Sequence, residues 1–518
     1  MTAATADRAG AHVIVDFPGH EITPPLERLV REGRIGGVIL FAKNIRNPAQ
    51  VRTLTADLQR LAAAAGLPPL FITIDQEGGV VNRLSEGCTV FPGAMALAAG
   101  GRAEDAEAAA RITALELRAL GINTNHAPVL DVNTNPANPV IGIRAFGDEP
   151  DLVARFGVAY LRGAQSGGIL ATAKHFPGHG DTALDSHLEL PTVTKPLSRL
   201  RREELAPFVQ AVRAGADALL SAHVVFPALD AARPATLSRR VMHDLLRSEL
   251  GFDGVVFTDS MEMKAIADRW SRGAAAVEAL RAGCDLLLAC GPAAGQWAAL
   301  DALRAALDDG TLAVELLRVS EARLERVRRR YLVGGSPVGG EVFVGRSEHR
   351  RLAQEIADRT VTLVRNGGGI PLPEGRTVVL SAGGPGESSA EQVAAALGDA
   401  LAALRPDVTV ARTPDEAAVG DWAAVVVASL SLRRLDGVET VRALHRAHGR
   451  RLVVVGVGSP YELRAFPEVE TYLATYGPDL PSLRAAAKVL AGSLVPSGRL
   501  PVALPGLHPR GWSATARA

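Results

Sequence analysis

Between residues 12 and 290 the chain alternates short apolar runs with longer stretches in which apolar residues recur every three or four positions. Runs apolar on both faces are what parallel strands need when helices cover them, and the 3.6-residue period marks the helices that cross over between those strands. Eight strands are predicted, at His12 to Asp16, Gly37 to Phe41, Phe71 to Asp75, Asn125 to Asp131, Ile169 to Lys174, Ala218 to Ser221, Val255 to Asp259 and Asp285 to Ala289. Helices are predicted over Ala103 to Leu120, Asp151 to Gln165 and Glu203 to Ala214, with Gly121, Gly167 and Gly215 as left-handed C-caps. Polar residues gather at the strand C-termini, among them Asp75, Lys174 and Asp259. That distribution predicts a closed (β/α)8 barrel, since a doubly wound sheet would concentrate them at one switch point.

Helical periodicity continues through Leu300 to Tyr331 and stops at Gly334-Gly335-Ser336-Pro337-Val338-Gly339-Gly340. Beyond it, strands are predicted at Thr377 to Ser381, Val408 to Ala411, Ala423 to Ala428, Arg451 to Val455 and Thr471 to Ala474, with helices between them. A chain of 518 residues exceeds what one core normally serves, and 47% apolar residues suffice to fill two. The expected organisation is therefore a barrel over residues 1–333, a linker over 334–350 and a smaller α/β domain, an αβα sandwich, over 351–518. Gly383-Gly384-Pro385-Gly386 and Gly456-Val457-Gly458-Ser459-Pro460 lack the spacing of a phosphate loop and are expected to be plain turns.

Charge narrows the partners. Lysine plus arginine equals aspartate plus glutamate at 56 each, so neither nucleic acid nor an anionic membrane surface is expected as a partner, and the substrate is expected to be small or uncharged where it reacts. No apolar run reaches membrane length, and nothing in the sequence speaks to oligomeric state. Cys88, Cys284 and Cys290 form neither a disulfide framework nor a zinc ribbon. Met1 to Gly10 mixes alanine, threonine and both charges rather than presenting a basic stub before an apolar segment, so a cytoplasmic location is expected.

The densest chemistry is Lys174-His175-Phe176-Pro177-Gly178-His179-Gly180-Asp181-Thr182, running on to Asp185-Ser186-His187. Prolines and glycines forbid a regular element here, so the polar groups are expected on a loop held by the strand before it. His175 and His179, with Asp181, are also what a metal takes, although their four-residue spacing serves a metal only on a helix, which Pro177, Gly178 and Gly180 remove. A loop whose histidines are merely satisfied is the third possibility. Asp75 ends a strand before Gln76-Glu77-Gly78-Gly79, as a ligand contact or as a cap. Asp259 ends a fully apolar strand, where it suits a nucleophile, or caps the helix expected near Met261.

Five segments together resemble glycoside hydrolase family 3, specifically its N-acetyl-β-glucosaminidase branch. They are Asp75 to Gly79, Ala127 to Val132, Val140 to Gly147, Lys174 to His187 and Thr258 to Met263. Val361 to Asn366 and Pro496 to Val502 resemble the second domain of longer members. The resemblance implies Asp259 as the nucleophile of a retaining, covalent mechanism, His187 as the acid/base and Asp185 as its partner. It implies Asp75, Arg83, Arg144, Lys174 and His175 as contacts to the sugar hydroxyls, and it requires no cofactor and no metal. Where many relatives follow the two glycines with arginine, this chain has Val80, while Arg83 is kept; Ala145 replaces a common serine.

A histidine suits acid/base work because imidazole titrates near 6.5 without perturbation, and Asp185 is placed to orient the ring. His179 is assigned to loop structure. The expected activity is exo-β-N-acetylglucosaminidase, acting on a small carbohydrate substrate such as a cell-wall fragment, with the acetamido group implied by the histidine loop alone. A phosphorylase on the same site is the alternative, because a neutral imidazole does not repel phosphate. A metal-dependent hydrolase using His175, His179 and Asp181 and a silent sugar-binding protein complete the set.

Overall fold

The structure, a computed structural model, describes residues 8–333, 343–382, 388–430 and 435–517. Eight parallel strands close into a barrel in sequence order: β1 Val13–Val15, β2 Gly37–Leu40, β3 Phe71–Ile74, β4 Thr124–Asn125, β5 Leu170–Phe176, β6 Ala218–Ser221, β7 Val255–Ser260 and β8 Leu286–Ala289. Side chains alternate across each strand. In β1, Ile14 points into the barrel with Phe71, Leu170, Phe257 and Leu288, while Val13 and Val15 join the shell between strands and helices. Leu324, Val327 and Tyr331 pack into the same interior cluster, and the Arg328 guanidinium stacks over Phe71, the first residue of β3. The helix Val314–Val327 thus plugs the N-terminal end and leaves the C-terminal end for chemistry.

Two expectations need correction. β4 is two residues long and does not run on to Asp131. Pro128 has no N–H to give the ladder, so the strand stops and pairing resumes irregularly, with Lys174 N donating to Pro128 O at 3.0 Å and Leu130 N to Lys174 O at 2.6 Å. The helix Pro150–Ser166 is followed by Gly167 in the right-handed region at φ −72°, and the left-handed residue is Gly168 at φ +79°. Gly121 and Gly215 are left-handed as expected, at φ +77° and +84°.

The second domain is a six-stranded sheet, with β9 Thr362–Arg365, β10 Thr377–Ser381, β11 Val408–Val410, β12 Ala424–Ser429, β13 Leu452–Gly456 and β14 Tyr472–Ala474 in the order β9-β14-β13-β12-β10-β11. All pairs are parallel except β9 with β14. Apolar clusters cover both faces, as an αβα sandwich requires, and one of them takes in Met95, Ala96 and Ala99 from the barrel side. Gly334 to Gly340 lies outside the described residues, as does Gly383 to Gly386; residues 347–350, at the end of the expected linker, open the helix Ser347–Thr360. In Gly456 to Pro460, Gly456 ends β13 and Pro460 opens the 3-10 helix Pro460–Ala465, with a three-residue bend between them. No helix among the described residues is long and apolar enough to cross a membrane.

Candidate active site

A cavity of about 600 Å³ opens at the C-terminal end of the barrel, and Asp75, Arg83, Arg144, Lys174, His175, His187 and Asp259 all line it. Their sequence separation is bridged by strand order. Asp75 follows β3, Lys174 and His175 lie within β5, and Asp259 lies near the end of β7.

Lys174 is the hub of one wall. Its ammonium is 3% exposed and bonds Asp75 Oδ1 and Glu77 Oε1, each at 2.7 Å, leaving one N–H of three. Glu77 also takes a two-point contact from Arg144, Nη2 to Oε1 at 2.8 Å and Nε to Oε2 at 3.0 Å. Burial alone would raise the carboxyl groups of Asp75 and Glu77; Lys174 and His126 outweigh it for Asp75, and Arg144 and Lys174 for Glu77, so both stay below the ordinary range. Lys174 is shifted up, its burial more than offset by the two carboxylates. The loop after β3 is braced by Gln76, whose side-chain oxygen accepts from Arg83 N at 2.8 Å and Leu84 N at 3.1 Å. Gly78 and Gly79 turn it at φ +92° and +58°, a backbone that favours glycine.

The opposite wall carries Asp259. It caps no helix: its Oδ1 accepts from Ser260 N at 2.7 Å, and the following helix, Lys264–Ala267, begins beyond Met263. Burial pushes its pKa up, and the His175 and His223 imidazoles, the Ser260 amide and Lys174 more than offset this, so the carboxylate is held ionised. His175 donates through Nδ1 to Asp131 Oδ2 at 2.6 Å, since a carboxylate can only accept, and its other nitrogen is left for the cavity. Asp131, fully buried, also accepts from His179 N at 2.6 Å.

The three histidines of the loop have distinct surroundings. His187 is exposed, with Nδ1 on Asp185 Oδ1 at 2.8 Å; Asp185 does not line the cavity and reaches it through this ring. His179 is buried, with Nδ1 on Thr182 Oγ1 and Nε2 on Ser186 Oγ, both at 2.9 Å, and burial pushes its pKa down to about 4. Asp181 faces Thr134 Oγ1 at 2.7 Å and Lys195 Nζ at 3.2 Å. The proposed metal trio is therefore committed to separate protein partners, and among the described residues no three His, Cys, Asp or Glu side chains converge as metal ligands would. At Gly180 a Cβ would stand 1.8 Å from Val132 O, so the loop lies directly on the backbone after β4.

Sequence reasoning did not single out Glu77, Asp131, His126 or His223. Glu77 stands two residues after Asp75, and both carboxylates pair with Lys174. His126, pushed down to about 4 by burial, stacks edge-on against Phe257 beneath the cavity, and His223 bonds Ser260 O at 3.0 Å; neither had a motif.

A sequence model described as the glycosyl hydrolase family 3 N terminal domain matches residues 13–328. The chain belongs to that family. It is a glycoside hydrolase of the barrel-plus-sandwich form. A family 3 beta-N-acetylglucosaminidase from Paenibacillus sp. FPU-7 superposes with TM-score 0.91 at 40% identity, over 97% of this chain and 99% of that one. Beta-hexosaminidase A of Pseudoalteromonas piscicida is 37% identical over 384 residues, 69% of this chain, and the match spans 64% of its length. A beta-hexosaminidase of Pseudomonas aeruginosa is 39% identical over 296 residues, 56% of this chain and 86% of its own.

Proposed function

We propose that the chain is a retaining exo-β-N-acetylglucosaminidase that removes terminal β-linked N-acetylglucosamine from cell-wall fragments. The observation that carries this is one cavity with an ionised Asp259 on one wall, the His187–Asp185 pair at its mouth and a charged clamp of Asp75, Glu77, Lys174 and Arg144 opposite. In the first step an oxygen of Asp259 attacks the anomeric carbon, the glycosidic bond breaks, and the His187 imidazolium gives its Nε2 proton to the departing oxygen. In the second, neutral His187 takes a proton from water, the water oxygen attacks the same carbon, and Asp259 leaves as carboxylate.

Asp185 accepts Nδ1–H and so fixes the tautomer that exposes Nε2. The free N–H groups of Lys174 and Arg144, with the second oxygen of Asp75, suit the vicinal hydroxyls of a pyranose; Arg83 and His175 complete the clamp. No step needs a metal or cofactor. The Paenibacillus enzyme supports the N-acetylglucosamine preference by its name and its near full-length likeness. Three free, buried cysteines fit action in the reducing cytoplasm.

Product analysis of an aryl N-acetyl-β-glucosaminide, with and without inorganic phosphate, tests this. Free N-acetylglucosamine in both reactions is the expected outcome. Sugar 1-phosphate appearing with phosphate would make the chain a phosphorylase, and no cleavage would overturn the substrate.

A further inference from the structure

The groups that would contact the sugar all belong to the barrel, yet the loop that delivers Arg144, which Asn138 and Asn133 hold from the barrel side, is held from outside it as well. Arg144 ends a single 3-10 turn, Gly142–Arg144, with no strand or helix of its own to fix it. Four residues on, Asp148 Oδ2 accepts from Ala503 N at 2.8 Å and Oδ1 accepts from Arg510 Nε at 2.7 Å. Between them Gly147 lies so close to the C-terminal segment that a Cβ there would stand 2.6 Å from Pro501 O. That segment is fastened to the sandwich: Leu500 N donates to Trp512 O at 2.9 Å, and Trp512 Nε1 to Val364 O in β9 at 2.9 Å. Ile143 packs on the apolar core of the second domain, and Tyr476, after β14, lines one small cavity together with Glu77 and Arg144.

We infer that Asp148 is a positioning residue for the sugar clamp, through which the second domain sets where Arg144 stands. The two-point contact of Arg144 with Glu77 transmits the position, because a fork of two N–H···O bonds tolerates little displacement, and Glu77 in turn holds Lys174. A displaced contact that holds substrate and transition state alike weakens both, so the loss reads in KM rather than in kcat. The inference rests on the proposed function for the identity of the sugar, and on the distances above for the coupling.

The test is a double-mutant cycle on the full chain, with KM, kcat and Tm measured on whichever aryl β-glycoside of a panel the wild type cleaves. Asp148→Ala is expected to raise KM about 10-fold with kcat changed less than about threefold, and Asp148→Asn, which keeps an acceptor for Ala503 N, to recover most of it. In an Arg144→Met background Asp148→Ala is expected to change KM less than about twofold, since the group it positions is gone. If Arg144→Met turns over too slowly, calorimetric affinity for the released sugar supplies the same cycle. A fall in Tm with KM unchanged, or the full factor persisting in the Arg144→Met background, overturns the inference. Cleavage of other glycosides but not the N-acetylglucosaminide would overturn the substrate alone, and the cycle would still decide on Asp148.

Discussion

Replacing Lys174 by methionine keeps the length of the side chain and removes its charge, which isolates what the buried ammonium does. The variant leaves Glu77 with Arg144 but strips Asp75 of the cation hydrogen-bonded to it, in a site where Lys174 is 3% and Asp75 19% exposed. Breaking a buried ion pair from one side costs about 3–5 kcal/mol. Asp75 has an escape, because taking up a proton at pH 7 onto a carboxyl of ordinary pKa about 3.9 costs about 4 kcal/mol, which caps the loss. The sign with pH follows. In the wild type the carboxyl pKa values of Asp75 and Glu77 are depressed by folding, so the stability they contribute is present above the ordinary carboxylate range and is lost as pH falls through the folded values. In Lys174→Met the Asp75 carboxyl is raised, so the variant loses stability as pH rises from about 4, by about 1.4 kcal/mol per unit until Asp75 ionises. Urea unfolding between pH 4.5 and 8, followed through the barrel tryptophans Trp270 and Trp297, measures this. Activity should fall by about 10- to 100-fold in kcat/KM from the lost charged donor alone. Unfolding midpoints equal to wild type at pH 7, or a gap that does not widen with pH, would refute the reasoning.

Asp259→Ala is expected to lower kcat by about 10⁴-fold or more while leaving affinity for the released sugar nearly unchanged, and residual turnover near wild type would dismiss Asp259 as nucleophile. His187→Ala should slow glycosides with poor leaving groups far more than activated aryl glycosides and should be rescued by azide; Asp185→Ala should show a milder form, and His179→Ala a loss independent of leaving group. The leaving-group dependence appearing in His179→Ala instead would reverse the assignment. Exhaustive chelation should leave the rate unchanged, and a loss restored by zinc or manganese would point to the metallohydrolase. In the second domain, burial pushes Glu462 up to about 8, against hydrogen bonds from Ser429 and Tyr472. Its stability contribution is thus present at low pH and lost as pH rises through 8, so Glu462→Gln should flatten that decline in Trp422 fluorescence melts; an unchanged slope would refute it.

The barrel was legible because its strands are covered on both faces, which writes them as unbroken apolar runs, and Pro128 cut one of them several residues short of its expected end. The sandwich was legible for the same reason, except β9, a four-residue antiparallel edge strand with no alternation long enough to register. At the candidate site, Asp75, Lys174 and Asp259 were legible as candidates because each closes an apolar run, and His175 and His187 because their loop is so rich in ionisable groups. The pairings could not be found. Arg144 with Glu77 and His175 with Asp131 join residues 67 and 44 positions apart, and only barrel closure brings them together. The contacts of Asp148 with Ala503 and Arg510 span 355 and 362 positions and cross between domains, where no periodicity carries information.

In the proposed mechanism Asp259 becomes covalently glycosylated in a site whose acid/base is His187. Peptide mass spectrometry of the His187→Ala variant, quenched during turnover of 2,4-dinitrophenyl N-acetyl-β-glucosaminide, tests it most directly, because the activated leaving group needs no acid and the second step lacks its base. An N-acetylglucosaminyl adduct is expected to accumulate on the peptide carrying Asp259 and to disappear on adding azide. No adduct while the aryl group is released, or an adduct on any other residue, would contradict it.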